Sequence, residues 1–168
     1  MAPSQEPLFR AEHAGQRRLR CSESQLSRHD APVENVEYRW RGALTDAEMV
    51  DLVLAHGGRA RAGWWDQVRP HALGWVTARR ADGLLVGFVN VAWDGGDHAV
   101  LLDTKVRGEY QHRGIATQVV RVAVTNSRDA GCEWLHVDFE ARLEPFYFDA
   151  CGFRPTSAGV IYLPGPQC

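Results

Sequence analysis

Val106-Arg107-Gly108-Glu109-Tyr110-Gln111-His112-Arg113-Gly114-Ile115-Ala116-Thr117 is the stretch that decides the fold. It joins an apolar run ending at Val106 to a segment in which Ile115, Val119, Val122, Ala123 and Ala130 recur at helical spacing, with Gly131 where a C-terminal cap belongs. A strand that feeds a tight turn and then a helix leaves backbone N–H groups unpaired at the positive end of the helix dipole, a ready site for an anion. Gly114 and Ala116 are small enough for the backbone to approach a pyrophosphate, and His112 and Arg113 add charge beside it. A glycine that merely starts a helix looks the same locally, so the surroundings must decide.

Upstream, Trp75 to Arg79, Leu84 to Trp93 and Ala99 to Val106 are rich in β-branched and aromatic residues. Ala81-Asp82-Gly83 and Asp94-Gly95-Gly96-Asp97 separate them, so three antiparallel strands form a meander. Asp and Gly are what those tight turns demand, and the turn before His98 is read as a turn, not a metal site. Before the meander, the spacing predicts a strand over Val36 to Trp40. The T-x-x-E capping box Thr45-Asp46-Ala47-Glu48 opens a helix carrying Met49, Val50, Leu52 and Val53, which ends at Gly57-Gly58. Residues 57–70 read as a long loop.

Downstream of the helix that starts at Ile115, Trp134 to Phe139 reads as a strand, Leu143 to Ala150 as a short helix closed by Gly152, and Gly159 to Leu163 as a last strand. Ala99 to Phe139 is then a β-α-β crossover, which places its two strands parallel beneath the helix. The fold class is α/β (α+β), a mixed, mostly antiparallel sheet with a central β-α-β crossover and flanking helices.

The 168 residues suit one domain, and a formal charge of −2 with 24% charged residues gives no reason to expect nucleic acid or an anionic membrane as partner. No apolar run approaches the roughly 20 residues that span a bilayer. Residues 1–32 mix Arg, Gln, Ser, Glu and Pro without an apolar period and read as a disordered extension, leaving 33–168 as the domain. Cys21, Cys132, Cys151 and Cys168 form no CxxC pair and read as reduced thiols of a cytoplasmic protein, without metal.

Gln111-x-x-Gly114-x-Ala116 after a strand ending in Val resembles the acetyl-CoA signature of the GNAT superfamily of N-acetyltransferases, Q/R-x-x-G-x-G/A. The order of elements resembles it too, and Leu143-Glu144-Pro145-Phe146-Tyr147-Phe148-Asp149-Ala150-Cys151-Gly152-Phe153 looks like the late helix of that family, which ends in a Gly-Phe pair. The resemblance covers roughly Val36 to Leu163. It implies parallel strands that splay apart to admit pantetheine, with Thr104, Lys105 and Val106 offering backbone groups to it. It also implies that Gln111, His112, Arg113, Gly114, Ile115, Ala116 and Thr117 hold the pyrophosphate, and that an amide near Val106 faces the thioester carbonyl as an oxyanion donor. Acetyl-CoA would be the co-substrate and a primary amine, of a small molecule, the acceptor. Dimerisation is a habit of that family, so a homodimer is possible.

Such a transfer needs a neutral amine, and an amine of pKa about 10.4 costs roughly 4 to 5 kcal/mol to deprotonate at neutral pH. Asp103, Glu109 and Asp138 are the candidate bases, with Asp103 preferred over its other reading as a polar residue on a strand face. Tyr147 is the candidate acid for the departing thiolate, or else a buried aromatic. The family's Tyr usually stands four residues before the Gly, where this chain has Phe148, and one residue on a helix is about 100° of rotation. Family resemblance puts the acceptor beside the first helix and the loop after it, where Trp64, Trp65 and Asp66 could supply walls and a carboxylate, or pack in the core. The displaced Tyr keeps a second reading open, a GNAT-like module that binds acyl-CoA or a partner protein without turnover.

Overall fold

The computed structural model describes residues 35–161 and Leu163. The expected disordered extension over 1–32 lies outside the described residues, as do Cys21 and Cys168. Five strands form one sheet in chain order: β1 (Val36–Trp40), β2 (Ala72–Arg80), β3 (Leu85–Trp93), β4 (His98–Val106) and β5 (Trp134–Val137). β1 to β4 pair antiparallel, and β4 and β5 pair parallel through α3 (Ile115–Asp129), the crossover expected from the sequence.

Two apolar clusters cover the two faces of this sheet. On one, Ile115, Val119, Val120 and Ala123 of α3 pack on Val76, Val86, Val89, Val91 and Leu101. On the other, Met49, Leu52 and Val53 of α1 (Asp46–Ala55) and Trp65 of α2 (Trp64–Val68) pack on Leu85 and Phe88. β3 therefore feeds both clusters, which is why it reads as a nearly continuous apolar run instead of an alternating one. α3 approaches β3 closely at Gly87, where a Cβ would lie 2.7 Å from Ile115 Cγ2.

Thr45 caps α1 by the expected box: its hydroxyl accepts from the Glu48 N–H, and the Glu48 carboxylate accepts from the Thr45 N–H. Glu48 also accepts from Arg79 at 2.7 Å, tying α1 to β2. That bond comes first among the causes that hold the Glu48 carboxyl below its ordinary pKa, against an opposing push from partial burial. Arg107, buried, donates to the Leu85 carbonyl at 2.7 Å and pairs with Asp51 of α1.

Three elements differ from the sequence expectation. Residues 57–70 hold α2, because the Asp46 carboxylate accepts from the N–H groups of Gly63 (2.6 Å) and Trp65 (2.9 Å), a cap supplied from another helix. The expected late helix is a 3₁₀ turn, Ala141–Leu143, followed by a single π-helical turn, Pro145–Ala150, in which the Cys151 N–H reaches the Phe146 carbonyl at 3.0 Å. No strand forms over the described residues 159–161 and Leu163; Tyr162 lies outside them. Val160 there is 90% exposed, and a β-branched run acquires strand structure only against a partner to pair and pack with.

Candidate active site

β4 and β5 pair only from His98↔Trp134 to Leu101↔Val137, so residues 102–106 of β4 continue without β5 alongside. On its other side β4 stays paired with β3, but between Asn90↔Leu102 and Phe88↔Lys105 it takes one residue more than β3 does. This bulge places Asp103 in left-handed backbone, φ +56. Of the four non-glycine residues with positive φ among the described residues, Asp103 is one and His112, φ +58, in the loop before α3, is another. Such conformations cost of order 1–3 kcal/mol each and gather at functional sites.

A cavity of about 840 Å³ opens along the unpaired part of β4. Thr104 and Val106 line it from the strand, Gln111 and His112 from the loop, Gly114 to Thr117 from the start of α3, and Phe146 and Tyr147 from the π turn. Gly114 is the N-cap of α3 at φ +78, a conformation glycine adopts without the Cβ clash, and no side chain caps the helix. The first N–H groups of α3 thus face the cavity uncapped, at the positive end of the helix. The expected pyrophosphate residues are gathered there with the exception of Arg113, whose guanidinium stacks 5.5 Å from the Tyr110 ring centroid.

Val106 turns both backbone polar groups toward the cavity wall. Its carbonyl receives the His56 Nδ1–H at 2.7 Å and the Gln111 amide at 3.3 Å, and its N–H lies 3.3 Å from the same His56 nitrogen. One ring nitrogen cannot both donate and accept, so the shorter contact fixes the donor role and leaves the Val106 N–H poorly held. His56, at the C-cap of α1, is a site residue that sequence reasoning missed. Arg142 and Leu143 are others, brought in by the 3₁₀ turn.

Tyr147 is 6% exposed. Its ring stacks on Phe139 at 4.5 Å between centroids, and its hydroxyl donates to Thr104 Oγ1 at 3.3 Å, in the cavity that the Gln111 to Thr117 loop also lines. A π turn holds one residue more than an α turn closed by the same backbone span, so the rotation expected of a displaced Tyr does not carry it out of the site. Burial raises the Tyr147 pKa above its ordinary value, and the bond to Thr104 pulls the other way. The hydroxyl therefore keeps its proton at neutral pH, as a donor must.

Asp103 and Lys105 form an ion pair at 2.9 Å on the opposite face of β4 from Thr104. They line a second cavity of about 140 Å³ together with Met49, Val50, Val53, Arg59, Arg61 and Trp64. Of the three residues expected at the acceptor, only Trp64 lines it. Trp65 is wholly buried, edge-on to Trp75 and Phe88 at 4.9 and 5.3 Å, and Asp66 is exposed and lines neither cavity. Glu109 and Asp138 are likewise exposed and outside both cavities, which leaves Asp103 as the cavity carboxylate among the three candidate bases.

No described helix is long and apolar enough to cross a membrane. No curated protein sequence matches the chain. Solved structures do resemble it: a probable acetyltransferase from methicillin-resistant Staphylococcus aureus at 21% identity and TM-score 0.66, covering 77% of this chain and 99% of that one. A GNAT family N-acetyltransferase from Escherichia coli, solved with CoA, matches at 16% and 0.60, covering 75% and 72%. An aminoglycoside N-acetyltransferase, also with CoA, matches at 18% and 0.61, covering 77% and 95%. These identities establish a shared fold, while the sequence profile of the acetyltransferase (GNAT) family matches residues 38–153, most of the chain. With the parallel pair that stops at Leu101↔Val137 and the uncapped helix start on the Gln111 to Thr117 loop, that match places the chain in the acetyltransferase (GNAT) family.

Proposed function

We propose that the protein transfers an acetyl group from acetyl-CoA to the primary amine of a small molecule, in a cytoplasmic setting. The observation that carries this is the 840 Å³ cavity running from the uncapped start of α3 along the unpaired part of β4 to the buried Tyr147 hydroxyl. It offers, in one line, an anion site, an extended backbone edge and an acid. The diphosphate of acetyl-CoA would sit on Gln111 to Thr117 and the pantetheine arm along Thr104 to Val106. The cofactor would take over the Val106 groups that His56 now contacts, so the imidazole must turn aside.

The amine nitrogen then attacks the thioester carbonyl carbon. The C–N bond forms, charge develops on the carbonyl oxygen beside the Val106 N–H, and the C–S bond breaks as that charge collapses. The amine proton passes to the Asp103 carboxylate, directly or through water, and the Tyr147 hydroxyl protonates the leaving thiolate. Calorimetric titration of acetyl-CoA followed by an assay of thiol release over a panel of amines tests the reading. Saturable binding with amine-dependent thiol release is the expected result. Binding without release for any amine would leave an acyl-CoA-binding module, and no binding by the folded chain would remove the cofactor assignment.

A further inference from the structure

The smaller cavity has a chemical character of its own. Met49 and Val53, both buried, form its base, and Trp64 walls it. Its lining holds three cations, Arg59, Arg61 and Lys105, against one carboxylate, Asp103. Lys105 and Asp103 compensate each other at 2.9 Å. Arg61 donates to the neutral Gln67 Oε1 at 2.6 Å, and Arg59 has no ion-pair partner among the described residues. Two guanidiniums are thus uncompensated in the lining of a small, apolar-based cavity in a chain whose formal charge is −2. The local sign is opposite to the global one, so a general basic surface does not account for it.

Guanidinium is the side chain suited to planar, paired hydrogen bonding of carboxylate or phosphate, and such charge-assisted bonds are about twice as strong as neutral ones. A polycationic amine brought to the same cavity would meet like charge. At about 140 Å³ the cavity also falls below the roughly 300–1,000 Å³ of pockets that enclose drug-sized ligands. Asp103, on the strand that lies between the two cavities, supplies a group of the other sign.

We infer that the acceptor is a small primary amine that also carries an anionic group, carboxylate or phosphate, on a short apolar body. This rests on the acyl transfer proposed above. Asp103 takes the ammonium end; Arg59 and Arg61 hold the anionic end; Trp64, Met49 and Val53 cover the apolar part between them.

The test uses matched amines. Thiol release from acetyl-CoA is measured with leucine and phosphoethanolamine, with isoamylamine, which is leucine without its carboxylate, and with spermidine and kanamycin. Binding of each to the CoA-saturated protein is followed by calorimetry. The expected result is a kcat/KM at least roughly tenfold higher for leucine or phosphoethanolamine than for isoamylamine, and the better of the two identifies carboxylate or phosphate. That advantage disappears in the double variant Arg59→Ala, Arg61→Ala and reverses toward spermidine in Arg59→Glu. Both arginines are exposed, and retained acetyl-CoA affinity shows that the variants fold. A preference for isoamylamine or a polycation overturns the inference and leaves acyl transfer standing. If no amine releases thiol, the transfer reaction is overturned and the inference that rests on it falls with it.

Discussion

The two cavities on either side of β4 are made in different ways. The larger one is assembled mainly from a continuous piece of chain, Thr104 to Thr117, and it brings in backbone polar groups: the Val106 N–H and C=O and the first amides of α3. The smaller one draws on Met49 to Trp64 and on Asp103 and Lys105, some 40 positions later, and its charge sits on the side chains of Arg59, Arg61, Asp103 and Lys105. Backbone groups on a strand and a helix start are fixed by the fold and change little with sequence. Side chains lining a cavity can be exchanged without disturbing the sheet. A ligand common to many proteins suits the first construction and a ligand particular to one suits the second.

Gly114→Asp probes the first construction hardest. A carboxylate beside the helix start repels a diphosphate, and a side chain at φ +78 strains the turn by about 1–3 kcal/mol. Acetyl-CoA affinity should fall by roughly a hundredfold or more by calorimetry, about 2.7 kcal/mol or beyond. Unchanged affinity would mean that the larger cavity is not the cofactor's.

Asp103→Asn tests whether the two sides can be separated. Asn tolerates left-handed backbone, so the bulge at φ +56 is kept while the base is lost. With the best acceptor, kcat should fall by about a hundredfold, with the acetyl-CoA dissociation constant within about twofold of the parent. A joint loss of both would show the cavities to be one site.

Tyr147→Phe should be milder, lowering kcat by roughly tenfold, because thiolate departure needs less help than amine deprotonation. Its single hydrogen bond, to Thr104, is long at 3.3 Å, so the stability lost should stay below about 1 kcal/mol.

The smallest effects concern pH, and they separate the two faces by sign. Burial pushes the Cys151 thiol, next to the π turn, up to about 11 from 9.0. Between those values the unfolded chain loses this proton and the folded one keeps it, so stability falls as pH rises from 9 to 11. Glu48 on the α1 side is held low by Arg79, so its contribution is full above its unfolded pKa of 4.5 and is lost as pH falls below it. Thermal melts should show Cys151→Ala flattening the alkaline decline and Glu48→Gln the acid one, each leaving the other limb unchanged.

The meander, the central helix and the crossover were legible because each rests on local chemistry: Asp-Gly turns, apolar period, a glycine cap. The gathering of Gln111, His112 and Gly114 to Thr117 along one cavity followed for the same reason. α2 was not legible, since its cap comes from Asp46, 17 positions before Gly63. The acceptor side suffered likewise: nothing in Trp64-Trp65 says which ring faces inward, and the structure buries Trp65 and gives Trp64 to the cavity. His56 carried no signal, because its partner, the Val106 carbonyl, is 50 positions away.

The π turn over Pro145–Ala150 bears on how relatives of this chain should be sought. An inserted residue in an ordinary helix would turn everything before it by a quarter of the circle or more; absorbed in one wide turn, it changes a count and little else. By count alone Phe148 stands where the family resemblance implies a tyrosine, and Tyr147 stands one position before it. The proper ruler along this segment is the hydrogen-bond ladder, since Cys151 reaches back to Phe146 where an unexpanded turn would stop at Tyr147.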